Sequence, residues 1–314
     1  MRKACLRMVH ELARQDQRVI FVGSDLGVGT LEEMRREFPE RFFMEGICEQ
    51  AIIGMAAGLA MDGKHPYIHT IATFLSRRCF EQLALDLCLH NLSVCLLGTG
   101  GGMVYTPLGP THEAIEDLSI LRSLPNMTVV APADAEEMKR AMRASLHHLG
   151  PLYIRLAKGG DPVVTTDMPF AIGKAVAIRP GGEVLLVTTG ITLQIGLGTA
   201  DILRARGIET SVLHMPTIKP FDTDGFLAAA SPARAIVTLE ENTIVGGLGS
   251  ASAEALAEAG LPPSAAPRRF RRLGIPDVFP DHYGSQASNL ARYGLDAESV
   301  ATTACELLAR VAPQ

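Results

Sequence analysis

The sequence predicts an α/β protein of two domains, each a largely parallel sheet flanked by helices, and three observations carry that expectation. Short runs rich in β-branched and other apolar residues alternate with longer helical patterns, which is how strands joined by crossover helices read. The alternation stops over residues 158–183 and then restarts. A chain of 314 residues is also longer than one domain usually holds.

The elements follow in order. "RVIFVGSDL" (18–26) reads as the first strand, and a helix opens near residue 46 and runs to 61. "HPYIHTIA" (65–72) is the next strand, followed by a helix over 76–90, the strand "SVCLLGTG" (93–100), a helix after His112 and the strand "MTVVAPAD" (127–134). "KGGDPVVTTDMPFAIGKAVAIRPGGE" is punctuated by Gly and Pro and lacks helical periodicity. We therefore expect a first domain over 1–165, a linker over 166–182 and a second, smaller domain over 183–314. The second domain restarts with "VLLVTTG", a helix, "ETSVLHMP", "AIVTLEEN" and a helix from about Gly249, and it ends in the helical "LDAESVATTACELLARV".

Composition narrows the partners. With 47% hydrophobic and 20% charged residues and a net charge of -5, the chain lacks the clustered basic surface that nucleic acid or an anionic membrane would require. Small-molecule chemistry is favoured. The six cysteines form no CxxC pair and no disulfide framework, so they read as reduced thiols of a cytoplasmic protein. The opening "MRKACLRMVHELARQDQ" lacks the apolar core of a signal peptide, and no apolar run reaches membrane-spanning length.

Several motifs have two readings. The glycines of "VTTGITLQIGLGTADIL" and "LEENTIVGGLGSASAEAL" lie between strand and helix, where backbone amides could cradle a phosphate. Their spacing is not a dinucleotide fingerprint, and tight turns before helices are the preferred reading. No HExxH or Cys/His quartet is present, so no metal centre is expected in this chain. In "YTPLGPTHEAIEDLSILRSLPN" (105–126), Gly109 and Pro110 make a turn, Thr111 can cap the following helix, and Glu113 and Glu116 suit its positive end. That puts His112 at the mouth of a crossover, as a loop residue or as a catalyst.

"MEGICEQAIIGMAAGLAMDGK" (44–64) poses the sharper question. Gly54, Ala57 and Gly58, at i, i+3 and i+4, leave one helix face bare enough for another backbone to press close. Glu49 in the first turn is either a surface carboxylate, stabilised by about 0.3–1 kcal/mol at the helix N-terminus, or a functional group.

Taken together, four first-half segments resemble the pyrimidine-binding domain of transketolases, of 1-deoxyxylulose 5-phosphate synthases and of 2-oxo acid dehydrogenase β subunits. They are "GSDL" (23–26), "GICEQAIIGMAAGLAMDGKHPYIHTIATFLSRR" (46–78), "LGPTHEAIEDLSILRSLPNMTVVAPAD" (108–134) and "PLYIRLAKG" (151–159). "FAIGKAVAIRPGGEVLLVTTG", "EENTIVGGLGSA" and "YGSQASNLARYGL" resemble the transketolase C-terminal domain. The resemblance implies that Glu49 hydrogen-bonds a ring nitrogen of the thiamine diphosphate pyrimidine and favours its imino tautomer, a catalytic role. It also implies that Phe74 stacks on the pyrimidine and that Asp25 lies near the cofactor at a subunit interface. His112 would contact substrate, and Arg77 and Arg155 would hold a substrate phosphate or other anion, as guanidinium geometry allows.

Departures from the family pattern bear on the substrate. Leu108 stands where transketolases carry an acid before "GPTH", Gly100 where they carry a histidine, and Ile71 where a further aromatic borders the pyrimidine. Such changes alter which hydroxylated substrate is accepted. No "GDG" of the diphosphate and magnesium domain occurs in the chain. The resemblance therefore implies the C-terminal subunit of a split transketolase, whose N-terminal partner ligates Mg2+, in an α2β2 heterotetramer acting on sugars. The expected reaction is transfer of a two-carbon ketol unit from a ketose phosphate to an aldehyde. Decarboxylation of a 2-oxo acid such as pyruvate with acyloin formation, and a non-catalytic stabilising role, remain as alternatives.

Overall fold

In the computed structural model, residues 1–24, 29, 31–157, 159–260 and 269–309 are described, and their strands assemble into two sheets. In chain order the strands are β1 (Val19–Gly23), β2 (Phe42–Met44), β3 (His65–Ile71), β4 (Cys95–Thr99), β5 (Thr128–Val130) and β6 (Leu152–Leu156). They continue as β7 (Val176–Arg179), β8 (Val184–Thr188), β9 (Thr210–His214), β10 (Thr217–Lys219), β11 (Ala235–Thr243) and β12 (Arg269–Ile275). The first sheet has the order β10-β5-β6-β4-β3-β1-β2 and the second β12-β11-β8-β9-β7. All pairings are parallel except β10 with β5 and β7 with β9. The expected α/β class and its parallel sheets are thus observed.

Parallel strands covered by helices are buried on both faces, which explains their nearly unbroken apolar runs. Along β1, Ile20 and Val22 point to one core while Val19 and Phe21 point to the other. The first of these cores continues into the second half of the chain, joining Ile68 and Leu96 to Val187, Phe226 and Leu248. The opposite face is covered by the helices Arg2–Gln15 and Ala135–Ser145, which contribute Leu6, Val9, Met138 and Met142. The Asp134 side chain caps the second helix, accepting from the amides of Glu136 at 2.9 Å and Glu137 at 3.0 Å.

The two halves share backbone. β10 comes from the second half yet forms the edge of the first sheet, and β7, within the stretch expected as a linker, pairs with β9. No described helix is long and apolar enough to cross a membrane.

Two local expectations are corrected. No helix follows His112 directly: residues 110–116 form turns, and the helix is confined to Asp117–Arg122. Gly102 and Ala114 exchange amide-to-carbonyl bonds of 2.8 and 3.0 Å, which commits backbone groups that a helix over this segment would need. Thr111 consequently caps nothing; its hydroxyl lies 2.9 Å from Nδ1 of His112. The face of the helix Glu49–Met61 expected to be closely packed is split: Ala57 is buried in the core, while Gly54 and Gly58 are exposed and a Cβ on either would find nothing within 4 Å.

Candidate active site

Glu49 opens the helix Glu49–Met61 and is only 2% exposed. A carboxylate this deep must be paired, since isolated buried charge is costly. Its Oε2 accepts from Arg78 Nη1 at 2.6 Å, and its Oε1 lies 3.4 Å from the Thr70 hydroxyl, which in turn accepts from Ser24 at 3.0 Å. Thr70 belongs to β3 and Ser24 follows β1, so the carboxylate sits at the carboxyl ends of parallel strands. Open α/β sheets bind ligands at such ends.

The chain leaving β3 supplies the next groups. Residues Phe74–Arg78 form a wide, π-type helical turn rather than a regular α-helix, a geometry often found at functional sites. It brings Phe74 and Arg78 together and sends Arg77 to Glu116. The Arg78 guanidinium stacks on Phe74, 4.3 Å from the ring centroid, while it pairs with Glu49. On the same ring, His112 makes an edge contact at 5.2 Å between centroids. Glu49, Phe74 and His112, far apart in sequence, are thereby linked through contacts of Arg78 and Phe74.

Arg77 faces away from that cluster. It pairs with Glu116 through Nη2 at 2.8 Å and donates to the Pro110 carbonyl at 3.0 Å, so it holds the two ends of the loop that carries His112. Arg155 lies behind the loop and is 8% exposed. It donates to the Ala114 carbonyl at 2.7 Å and pairs with Asp117 at 2.9 Å, with Asp117 also accepting from the Tyr153 hydroxyl at 2.6 Å. Both arginines, expected to hold an anion, are engaged by protein groups in this structure, although Nε of Arg155 is buried without a partner among the described residues. Ile71 is half-buried at the end of β3. Asp25 lies outside the described residues.

Sequence reasoning missed a group of buried carboxyls around Arg155. Glu241 of β11 accepts from the Met103 amide at 2.9 Å and from Gln286 at 2.7 Å, binding the two halves together. The adjacent Glu240 accepts from the amides of Leu248 and Gly249, both at 2.8 Å, at the start of the helix Leu248–Ala259. Burial pushes Glu241 up to about 6 and Glu240 up to about 7, with Arg155 pulling each down. Burial likewise pushes Glu113 up to about 7, against the pull of Arg77. In Asp117 burial raises the carboxyl and the charge of Arg155 opposes it. The consecutive acids of "LEEN", inside an apolar strand pattern, are the signal that could have found two of them.

Two departures acquire physical meaning. Leu108 is 54% exposed on a short helical turn, so an apolar surface stands where a family acid would read a hydroxyl. Gly100 has φ 81° and is buried, and a Cβ there would collide with the Tyr105 ring. A histidine at this position would need both a strained backbone and a displaced tyrosine. Gly100→Ala is therefore expected to destabilise the chain by about 1–3 kcal/mol, read from urea unfolding midpoints; a change within experimental error would refute the packing account.

The donor set suits an aromatic nitrogen base: a buried carboxylate to bond ring nitrogen, and a phenyl face beside it. Among the described residues no group of three His, Cys, Asp or Glu side chains could hold a metal ion. The residues present thus fit the pyrimidine end of the cofactor implied by the resemblance.

Comparison with known proteins agrees with this geometry. Residues 1–160 match the family model described as transketolase, pyrimidine binding domain, and residues 173–300 match transketolase, C-terminal domain. The chain is 35% identical over 314 residues to the 6-deoxy-6-sulfo-D-fructose transketolase subunit SqwH of Clostridium sp. (strain MSTE9), covering 99% of this chain and 95% of that protein. It is 37% identical to 1-deoxy-D-xylulose-5-phosphate synthase 1 of Geobacter sulfurreducens, with 96% of this chain spanning 47% of the synthase. A solved structure described as a split gene transketolase, an inactive beta4 tetramer, superposes with a TM-score of 0.88 at 35% identity and 98% coverage of both chains. Two matched domains that cover most of the chain, and relatives of the same length and order, identify it as a split-type member of the transketolase family.

Proposed function

We propose that the chain is the C-terminal subunit of a thiamine diphosphate-dependent transketolase, moving a two-carbon ketol unit from a ketose phosphate to an aldehyde. The observation that carries this reading is the buried Glu49 carboxylate at the strand ends, joined through Arg78 to Phe74, with His112 against the same ring. Thiamine diphosphate, when bound, supplies the electron sink for breaking a carbon–carbon bond beside a carbonyl.

Each residue then has a task. Glu49 would hold or accept a proton at a ring nitrogen of the cofactor. Phe74 would support the ring from one side. His112, half-exposed beside Phe74, would bond substrate oxygens, and Arg77 would fix the loop that presents it. Asp25 is assigned to the cofactor's edge at a subunit boundary. We further propose a Pyr domain over 1–165, a linker over 166–182 and a transketolase C-terminal domain over 183–314.

The diphosphate end and its Mg2+ would be held by an N-terminal partner subunit carrying "GDG", in an α2β2 heterotetramer. Exposed small and apolar residues of this half support this: Gly54 and Gly58 are exposed, and Ile47 is 75%, Met61 59% and Leu89 71% exposed. Exposed apolar area of this kind marks interaction surfaces.

The second reading, a decarboxylating acyloin-forming transferase, is favoured by Leu108 and Gly100 and by the synthase among the relatives. Reconstitution with the adjacent "GDG"-bearing protein and assay with a ketose phosphate and with pyruvate separates the two. Transfer from the ketose is expected; carbon dioxide release from pyruvate without that transfer would establish the second reading instead.

A further inference from the structure

We propose that Arg78 is a positioning residue that stands in for the cofactor's aminopyrimidine in the unloaded chain, and that it must leave Glu49 before the cofactor can bind. The inference rests on the cofactor reading above.

Its basis is chemical likeness. The guanidinium is planar, cationic, and a donor of N–H bonds from its edge, and a protonated aminopyrimidine is all three. In this structure Arg78 makes the two contacts the reading assigns to that ring: an edge-on bond to Glu49 at 2.6 Å and a stacked contact with Phe74 at 4.3 Å. No other acceptor of Arg78 is found among the described residues, and its side chain is 40% exposed, against 3% for that of Glu49. A side chain 40% exposed can swing out by giving up its Glu49 pair and its Phe74 contact, the two contacts that the ring would take over. Neighbouring Arg77 cannot exchange roles with it, because Glu116 and the Pro110 carbonyl hold it.

Such a stand-in solves a folding problem and creates a binding one. Glu49 would otherwise fold into the interior with only the 3.4 Å contact to Thr70, and an unpaired buried carboxylate destabilises a fold. Once the partner and cofactor arrive, the same ion pair competes with them. Affinity is then reduced by the fraction of molecules in which Arg78 has already moved.

Arg78→Met keeps the length of the side chain and removes the charge and the donors. In the chain co-purified with its "GDG"-bearing partner, thiamine diphosphate with Mg2+ is titrated calorimetrically, and the unloaded chain is melted separately. Arg78→Met is expected to bind the cofactor about ten-fold tighter and to melt at a lower temperature when unloaded. A purely structural role would lower the melting temperature alone, and a direct contact with bound cofactor would weaken binding; either result overturns the proposal.

Should Arg78→Met fail to fold, Arg78→Lys keeps the charge but not the flat stack. It is expected to bind about three-fold tighter, within the ten-fold limit set by full release, and unchanged or weaker binding overturns the proposal there too. Absence of any binding by wild type, Arg78→Met and Glu49→Gln alike would overturn the cofactor reading itself. Binding by wild type, with no gain in either Arg78 variant, would remove only the stand-in role.

Discussion

Glu49→Gln is expected to lower turnover of the reconstituted enzyme by about 10²–10⁴-fold, the range lost when a positioned proton-transfer group is removed, and to leave assembly intact. The amide matches the carboxylate in size, so the start of the helix Glu49–Met61 and its packing on Ile52 and Ile53 survive. What is lost is the group that can change its proton. An amide cannot take a proton from a ring nitrogen at neutral pH, nor balance the charge of Arg78. Steady-state rates of the variant and wild-type complexes, with size-exclusion profiles of both, check the prediction. A fully active Glu49→Gln complex would remove Glu49 from the mechanism and favour the alternative in which this subunit only stabilises its partner.

Arg155→Met is expected to cost about 3–5 kcal/mol of stability, the penalty for breaking a buried ion pair from one side. That is a large part of the roughly 5–15 kcal/mol that holds a protein folded. Asp117 is fully buried and Glu241 nearly so, and Arg155 is the cation that pulls both carboxyls down. Without it, the Ala114 carbonyl keeps only the Gly102 amide as donor, and the loop carrying His112 loses a tie to β6. Urea unfolding of Arg155→Met and of Arg155→Met/Asp117→Asn forms the test: neutralising the stranded acid is expected to recover part of the loss. A single variant within about 1 kcal/mol of wild type, the ordinary range for an exposed pair, would show that Arg155 is not an internal anchor.

Much of the site was legible in the sequence because its pieces are local. Glu49 stands at a helix start among small apolar residues, and "TFLSRR" and "GPTH" follow strands; each has two readings alone, and their set in order carries the resemblance. Their order along the chain agrees with strand-end positions in a parallel sheet. The arginines were not legible in the same way. Arg77 and Arg78 are adjacent and chemically identical, and only the wide turn from Phe74 sends one to Glu116 and the other to Glu49. Arg155 reads as a cation available to a ligand until β4, β6 and β11 close around it.

The segment after His112 shows why helix signals alone mislead. Its Pro, Thr and Glu residues have a helix-start pattern, yet the Gly102–Ala114 backbone exchange and the Arg77 clamp outweigh that weak local preference. The small-residue helix face is likewise only half explained by its local pattern: Ala57 packs into the core, but the fold turns Gly54 and Gly58 outward.

By itself, then, the sequence determined the class of fold and the positions of most central strands, because periodicity is a property of neighbouring residues, and it singled out Glu49, Phe74 and His112 only through a family resemblance spread over the chain. The tertiary structure alone decided which arginine meets which acid, which carboxyls are buried with raised proton affinity, and which helix face remains uncovered. Those outcomes depend on charges and surfaces brought together across a hundred residues or more of chain, where burial sets the strength of every pairing.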